Sequence, residues 1–150
     1  MFYYEYLFVR TSLFWLLFNG TLGLLFYLYP GMMGAWRSIH VHTGLVGFFL
    51  NMVFGVAYWM MPRPGQIKQP GLEALTYWTL NLGLLLRVVL EPLAYAHGFE
   101  AYRGALVLAA SLQLFAMVVF VYAMSRRVIT NEMLWRLRRQ REAQKKKGRD

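Results

Sequence analysis

The sequence predicts an all-α integral membrane protein, a four-helix bundle with both termini cytoplasmic. Three observations carry that prediction: the apolar composition, four long apolar stretches, and basic residues crowded at one end of the chain. Of the 150 residues, 58% are hydrophobic and the mean hydropathy is +0.37. That lies outside the ordinary soluble range and makes lipid the first solvent to consider. A spanning helix needs about 20 residues, and residues 11–29, 38–61, 73–96 and 105–124 each meet that requirement. Polar turns over 30–37, 62–72 and 97–103 separate them, which leaves no room for a second folded domain.

The first stretch does not read as a cleavable signal peptide. It has no basic amino-terminal region and no small-residue cleavage site, and its apolar run is too long. Asn19-Gly20-Thr21 matches a glycosylation pattern, but it falls inside the span and reads as coincidence. The tyrosines Tyr3, Tyr4 and Tyr6, like Tyr58 and Trp59 further on, fit the aromatic belts found at membrane interfaces.

The second stretch opens on His40-Val41-His42, which holds two of the three histidines in the chain. A neutral imidazole at membrane depth needs a hydrogen-bond partner or a metal. Residues two apart on a helix point about 200° from one another, so this helix offers a ligand on each of two flanks. The other reading is interfacial hydrogen bonding near a helix start. Gly44, Gly47 and Gly55 follow on a similar face, where small residues admit a neighbouring helix or a flat macrocycle. Met60 and Met61 end the stretch, either as soft ligands or as lipid-facing packing.

The third stretch carries the charges deepest in any span, Arg87 and Glu91. They are four apart on one helix face and can pair. The pair reads either as structural or as a site in which Arg87 also meets an anionic cofactor group. Pro92 follows and is expected to kink or loosen the helix. His97, beside Gly98, reads as interfacial. Arg37 and Arg103, on the outer turns, either hold carboxylates or are solvated.

Ten of the sixteen basic residues follow Met124, as Arg126-Arg127 and the run from Arg136 to Arg149. Lys and Arg accumulate on the cytoplasmic side, so the carboxyl terminus lies inside. Four crossings return the amino terminus there too. Residues 1–125 form the transmembrane domain and 126–150 a basic cytoplasmic tail, read as a topogenic signal continuing into a solvated helix. The loop with Arg63 and Lys68 is then also inside, and the histidine pair and Arg87–Glu91 share the outer leaflet. A tail of this charge also suits anionic lipid; no nucleic-acid partner is expected. The absence of cysteine rules out disulfides, thiolate clusters and covalently attached c-type haem. There is no nucleotide loop, no serine–histidine–acid set and no run of carboxylates.

The string His-Val-His-Thr-Gly-Leu-Val-Gly-Phe over 40–48, closing in Gly-Val-Ala-Tyr-Trp-Met-Met-Pro over 55–62, resembles the tenth helix of the haem–copper oxidase catalytic subunit. The C-family oxidases and nitric oxide reductases are the nearest likeness. Tyr77-Trp78-Thr79-Leu80-Asn81-Leu82-Gly83 is similar to the start of the following helix, so the resemblance covers residues 36 to 85. It implies a haem-copper-oxidase-like fold in which His40 binds a high-spin haem b and His42 a low-spin one, with Gly44 and Gly47 beside them. By location it puts propionate-binding arginines at Arg37, Arg87 or Arg103. The chain lacks the family's copper-binding histidines and cross-linked tyrosine, which leaves catalysis by the family mechanism without its metal centre.

The family's large subunit arranges four-helix units with pseudo-threefold symmetry, so a four-helix chain implies a homotrimer with haem between second helices. The expectation is a b-type haem protein of the bacterial or archaeal cell membrane. It would transfer electrons or bind nitric oxide or oxygen in a respiratory or denitrification setting. The alternatives are a non-catalytic accessory or assembly subunit of a respiratory complex, with the histidines structural, and a small transporter lined by Arg87 and Glu91.

Overall fold

In lipid every backbone N–H and C=O must be paired within the chain, and a helix does this segment by segment. The computed structural model describes residues 3–61, 70–125, 127 and 139. Among them, every regular element is helical. α1 spans Tyr3–Leu28 and leads through a short 3₁₀ turn, Pro30–Met32, into α2, Met33–His42. A π-helical stretch, Thr43–Leu50, and α3, Asn51–Met60, follow; then come α4, Pro70–His97, and α5, Phe99–Ser125. Four helical segments are long and apolar enough to cross a membrane: α1, the continuous helix Trp36–Met60, α4 and α5. The loop with Arg63 and Lys68, and the tail apart from Arg127 and Arg139, lie outside the described residues.

The helices are longer than the apolar stretches that announce them. α1, α4 and α5 have 26, 28 and 27 residues. At about 1.5 Å per residue each is about 40 Å long, against a hydrocarbon core of about 30 Å. Hydropathy marks the lipid boundary, while the helix continues into the headgroup region. The turn expected over 97–103 accordingly shrinks to Gly98. Its φ of +102° suits a residue without Cβ, and its N–H donates to the Ala94 carbonyl at 3.0 Å. α4 runs through Pro92 without interruption, although proline has no N–H to give the carbonyl one turn back.

α1 packs along α3 and the π-helical stretch, α4 pairs with α5 over most of its length, and α2 meets α4. Small residues set these approaches. A Cβ at Gly55 would lie 2.8 Å from the Phe8 Cβ. One at Gly47 would lie 2.7 Å from the Trp15 ring, and one at Gly83 would lie 2.7 Å from the Ala109 carbonyl.

The two ends of the bundle differ. At the end where α1 begins and α5 stops, all four spans meet in an aromatic core of Phe8, Phe54, Tyr58, Tyr77 and Phe120. There the Phe54 and Phe120 rings stack at 3.8 Å. At the opposite end a smaller cluster of Leu22, Phe26 and Ile39 joins α1 to α2, and a cavity opens between α2, α4 and α5.

Candidate functional site

That cavity measures about 700 Å3, within the usual range for a small-molecule site. Gly34 and Ser38 of α2, Arg87, Glu91 and Tyr95 of α4, and Phe99 and Arg103 of α5 form part of its wall. The spacing of four that pairs Arg87 with Glu91 in sequence does so in space: Arg87 Nε donates to Glu91 Oε1 at 2.5 Å. The two side chains retain 24% and 12% of their exposure. The second oxygen, Glu91 Oε2, is buried with no hydrogen-bond partner among the described residues. Arg103 pairs with Glu100 at 3.5 Å on the exposed rim. Arg37 is exposed and takes no part in the wall.

Neither histidine of the pair lines the cavity, and the structure treats the two differently. His40 turns toward α1. Its ring meets Phe26 edge-on at 5.4 Å, and its Cε1 would lie 3.3 Å from a Cβ on Gly23. Its Nδ1 is buried without a partner among the described residues. His42, two positions on, places Nδ1 2.8 Å from the Ser38 carbonyl and 3.3 Å from the Ser38 hydroxyl. A carbonyl only accepts, so the proton sits on Nδ1 and the Nε2 lone pair stays available. Metal-ligating histidines are held in just this way, by a hydrogen bond from the other ring nitrogen. The donor chemistry therefore suits an iron-bound imidazole at His42. At His40 ligation through Nε2 would bury an unpaired Nδ1–H. His97 is exposed, with Nδ1 3.2 Å from the Leu93 carbonyl, in keeping with an interfacial position.

The glycines of the second span face α1. A Cβ on Gly44 would meet the Asn19 amide at 3.0 Å, and Gly47 abuts Trp15 and Leu84. Helix packing occupies this face within the protomer. Immediately after His42 the helix widens into its π-helical stretch, a form concentrated at functional sites. Thr43 at its start bonds the Asn19 amide oxygen at 3.0 Å, and Asn51 beyond its end reaches Val46 and Asn81.

Tyr58 is a correction to the sequence reading. It is fully buried rather than interfacial, and its hydroxyl lies 2.9 Å from Thr76 Oγ1. Arg127 is likewise not solvated with the tail. Its guanidinium is buried, donating to Glu73 at 3.1 Å and to the Tyr58 carbonyl at 3.2 Å, with Cζ 5.0 Å over the Tyr58 ring. Sequence reasoning missed this cluster because Arg127 and Glu73 lie 54 positions apart and Arg127 stands among similar charges. Glu5 is also fully buried at this end. Asn19, Asn51 and Asn81, polar residues inside apolar stretches, were the signal that interhelical hydrogen bonds existed.

Among the described residues no group of three or more histidine, aspartate or glutamate side chains gathers as a metal-ion cage. Compared with protein-family models, with curated proteins and with solved structures, the chain matches none.

Proposed function

We propose that this chain is a membrane-embedded b-type haem-binding protein with His42 as its axial ligand, serving electron transfer or the binding of nitric oxide or oxygen. The observation that carries the reading is the His42 Nδ1 contact with the Ser38 carbonyl, which orients the ring and leaves Nε2 free. The likeness of residues 40–62 to the histidine helix of haem–copper oxidases supports the same ligand. When bound, haem supplies a redox couple if both axial positions are filled and a gas-binding position if one is open. The chain's own part is to fix the imidazole through the helix backbone and to keep the surroundings dry. Arg37, exposed on the helix that carries His42, would be the cation that neutralises a propionate.

With one prepared ligand per protomer, filling a second axial position calls for another copy. The homotrimer, built around second spans in a bacterial or archaeal cell membrane, rests on the family likeness alone. From the basic residues of the tail we infer that both termini lie in the cytoplasm.

The test is the oxidised and dithionite-reduced absorption spectrum of the purified protein, with a pyridine haemochrome assay. A b-type spectrum is expected in the wild type and in His40→Ala, and its loss in His42→Ala. A colourless wild type supplied with haem, or a His42→Ala variant that keeps the spectrum, overturns the reading. The second reading, a non-catalytic accessory subunit of a respiratory complex, draws on His40, whose ring is given over to packing on Phe26 and Gly23. It predicts a colourless protein that copurifies with larger partners.

A further inference from the structure

We infer that the cavity between α2, α4 and α5 binds the head of a lipid-soluble quinol or quinone. Its polar wall is a half-used ion pair. Arg87 spends Nε on Glu91, and no hydrogen bond occupies its two terminal nitrogens among the described residues. Glu91 Oε2 is a buried acceptor lacking a donor. The cavity thus presents a donor and an acceptor side by side, one turn apart on α4. A ligand bearing a hydroxyl and a carbonyl or second hydroxyl satisfies both, the hydroxyl donating to Glu91 Oε2 and the other oxygen accepting from Arg87. Leaving Oε2 unmatched would cost the desolvation of a buried carboxylate oxygen. Ser38 and Tyr95 add hydroxyls at the wall, while Leu106, Val107 and Ala110 supply the apolar side along which a hydrocarbon tail can lie.

Depth decides between a quinol head and the charged headgroup of a phospholipid. With α4 centred on a hydrocarbon core of about 30 Å, Arg87 lies about 10 Å and Glu91 about 4 Å below its boundary. A phosphate would have to leave the headgroup layer to reach Arg87. An uncharged ring carrying two oxygens does not. Charge balance agrees, since the Arg87–Glu91 pair is neutral as a unit and needs no net charge on its ligand.

The test uses the full chain in detergent, titrated into the fluorescent quinol analogue 2-heptyl-4-hydroxyquinoline N-oxide. Saturable quenching, reversed by decylubiquinol and not by phosphatidylglycerol, is expected. Glu91→Gln replaces the orphan acceptor with a donor and weakens binding about tenfold or more, the worth of a hydrogen bond to a charged group. Arg87→Leu does the same, and Ala110→Phe, which fills the cavity without touching the charges, abolishes binding even where a charge variant fails to fold. Arg37→Ala, outside the wall, binds as the wild type does. The titration is run without added haem, so a colourless protein that quenches saturably and a haem-bearing one that does not tell loss of the haem reading from loss of this one. Non-saturable quenching, equal quenching in the Ala110→Phe variant, or displacement by phosphatidylglycerol alone would overturn the proposal.

Discussion

Two ion pairs sit at opposite ends of the bundle, and the membrane has dealt with them in opposite ways. At the terminal end Arg127 reaches Glu73 across helices, 54 positions away, with side-chain exposures of 0% and 6%. The Tyr58 carbonyl and ring take up more of the guanidinium, and only its Nε lacks a partner among the described residues. At the other end Arg87 and Glu91 are neighbours on one helix, face a cavity, and leave an oxygen unmatched. A charge enclosed by contacts from α3 and α4 locks a tertiary arrangement, whereas one enclosed on a single side keeps capacity for a ligand. Burying a charge is costly in either case, and whether packed protein or a cavity faces it tells structure from site.

The sharpest way to break this contrast is to remove each arginine in turn. Arg127→Ala strips a buried carboxylate of its cation and exposes the Tyr58 carbonyl to an empty volume, for an expected loss of about 3 kcal/mol in stability. Arg87→Ala leaves the Glu91 carboxylate facing the cavity rather than packed protein on one side, and costs about 1 kcal/mol. Reversible unfolding of the two variants in mixed micelles measures both. Equal losses would mean that the cavity pair is as structural as the enclosed one.

Glycines sharpen the same comparison at the next level of effect. At Gly83 an added Cβ would lie 2.7 Å from the Ala109 backbone carbonyl, so Gly83→Ala must push α4 from α5 and costs about 2 kcal/mol. At Gly34, on the cavity wall, the group met at 2.6 Å is the Tyr95 hydroxyl, the far end of an exposed side chain that can swing aside. Gly34→Ala therefore stays within about 0.5 kcal/mol of the wild type. A costly Gly34→Ala would show the cavity to be rigid.

What could be read from the sequence follows the range of each interaction. The four spans are one-dimensional features and hydropathy found them, while the helices begin earlier than the apolar stretches, at Tyr3, Met33, Pro70 and Phe99. Arg87 and Glu91 were legible because a spacing of four fixes their contact within one helix. The Arg127–Glu73 pair was not, since nothing local distinguishes Arg127 from the basic residues beside it. His40 and His42 are equivalent in sequence; Phe26 and Gly23, from another helix, separate them. The π-helical stretch over Thr43–Leu50 has the composition of an ordinary apolar helix. Tyr58 was misassigned because interfacial and buried tyrosines share the same apolar neighbours, and only Thr76 and Arg127 across the bundle decide the matter.

The smallest effect separates the two ends by a single hydroxyl. Thr76 Oγ1 lies 2.9 Å from the Tyr58 hydroxyl and 2.8 Å from its own Leu72 carbonyl, linking α3 to α4 beside the enclosed pair. Thr76→Val removes the interhelical bond at nearly constant volume and costs about 0.6 kcal/mol, the average for such bonds in membrane bundles. Ser38→Ala removes the cavity-wall hydroxyl that stands 3.3 Å from His42 Nδ1, but keeps the carbonyl that stands 2.8 Å from it. The histidine keeps its tautomer and orientation, so stability should not change and neither should any spectrum that depends on His42. Unfolding midpoints for the two variants, measured side by side in one micelle composition, resolve the difference. If Ser38→Ala loses as much as Thr76→Val, the hydroxyl rather than the backbone holds His42, and the open end is less separate from the enclosed one than its contacts indicate.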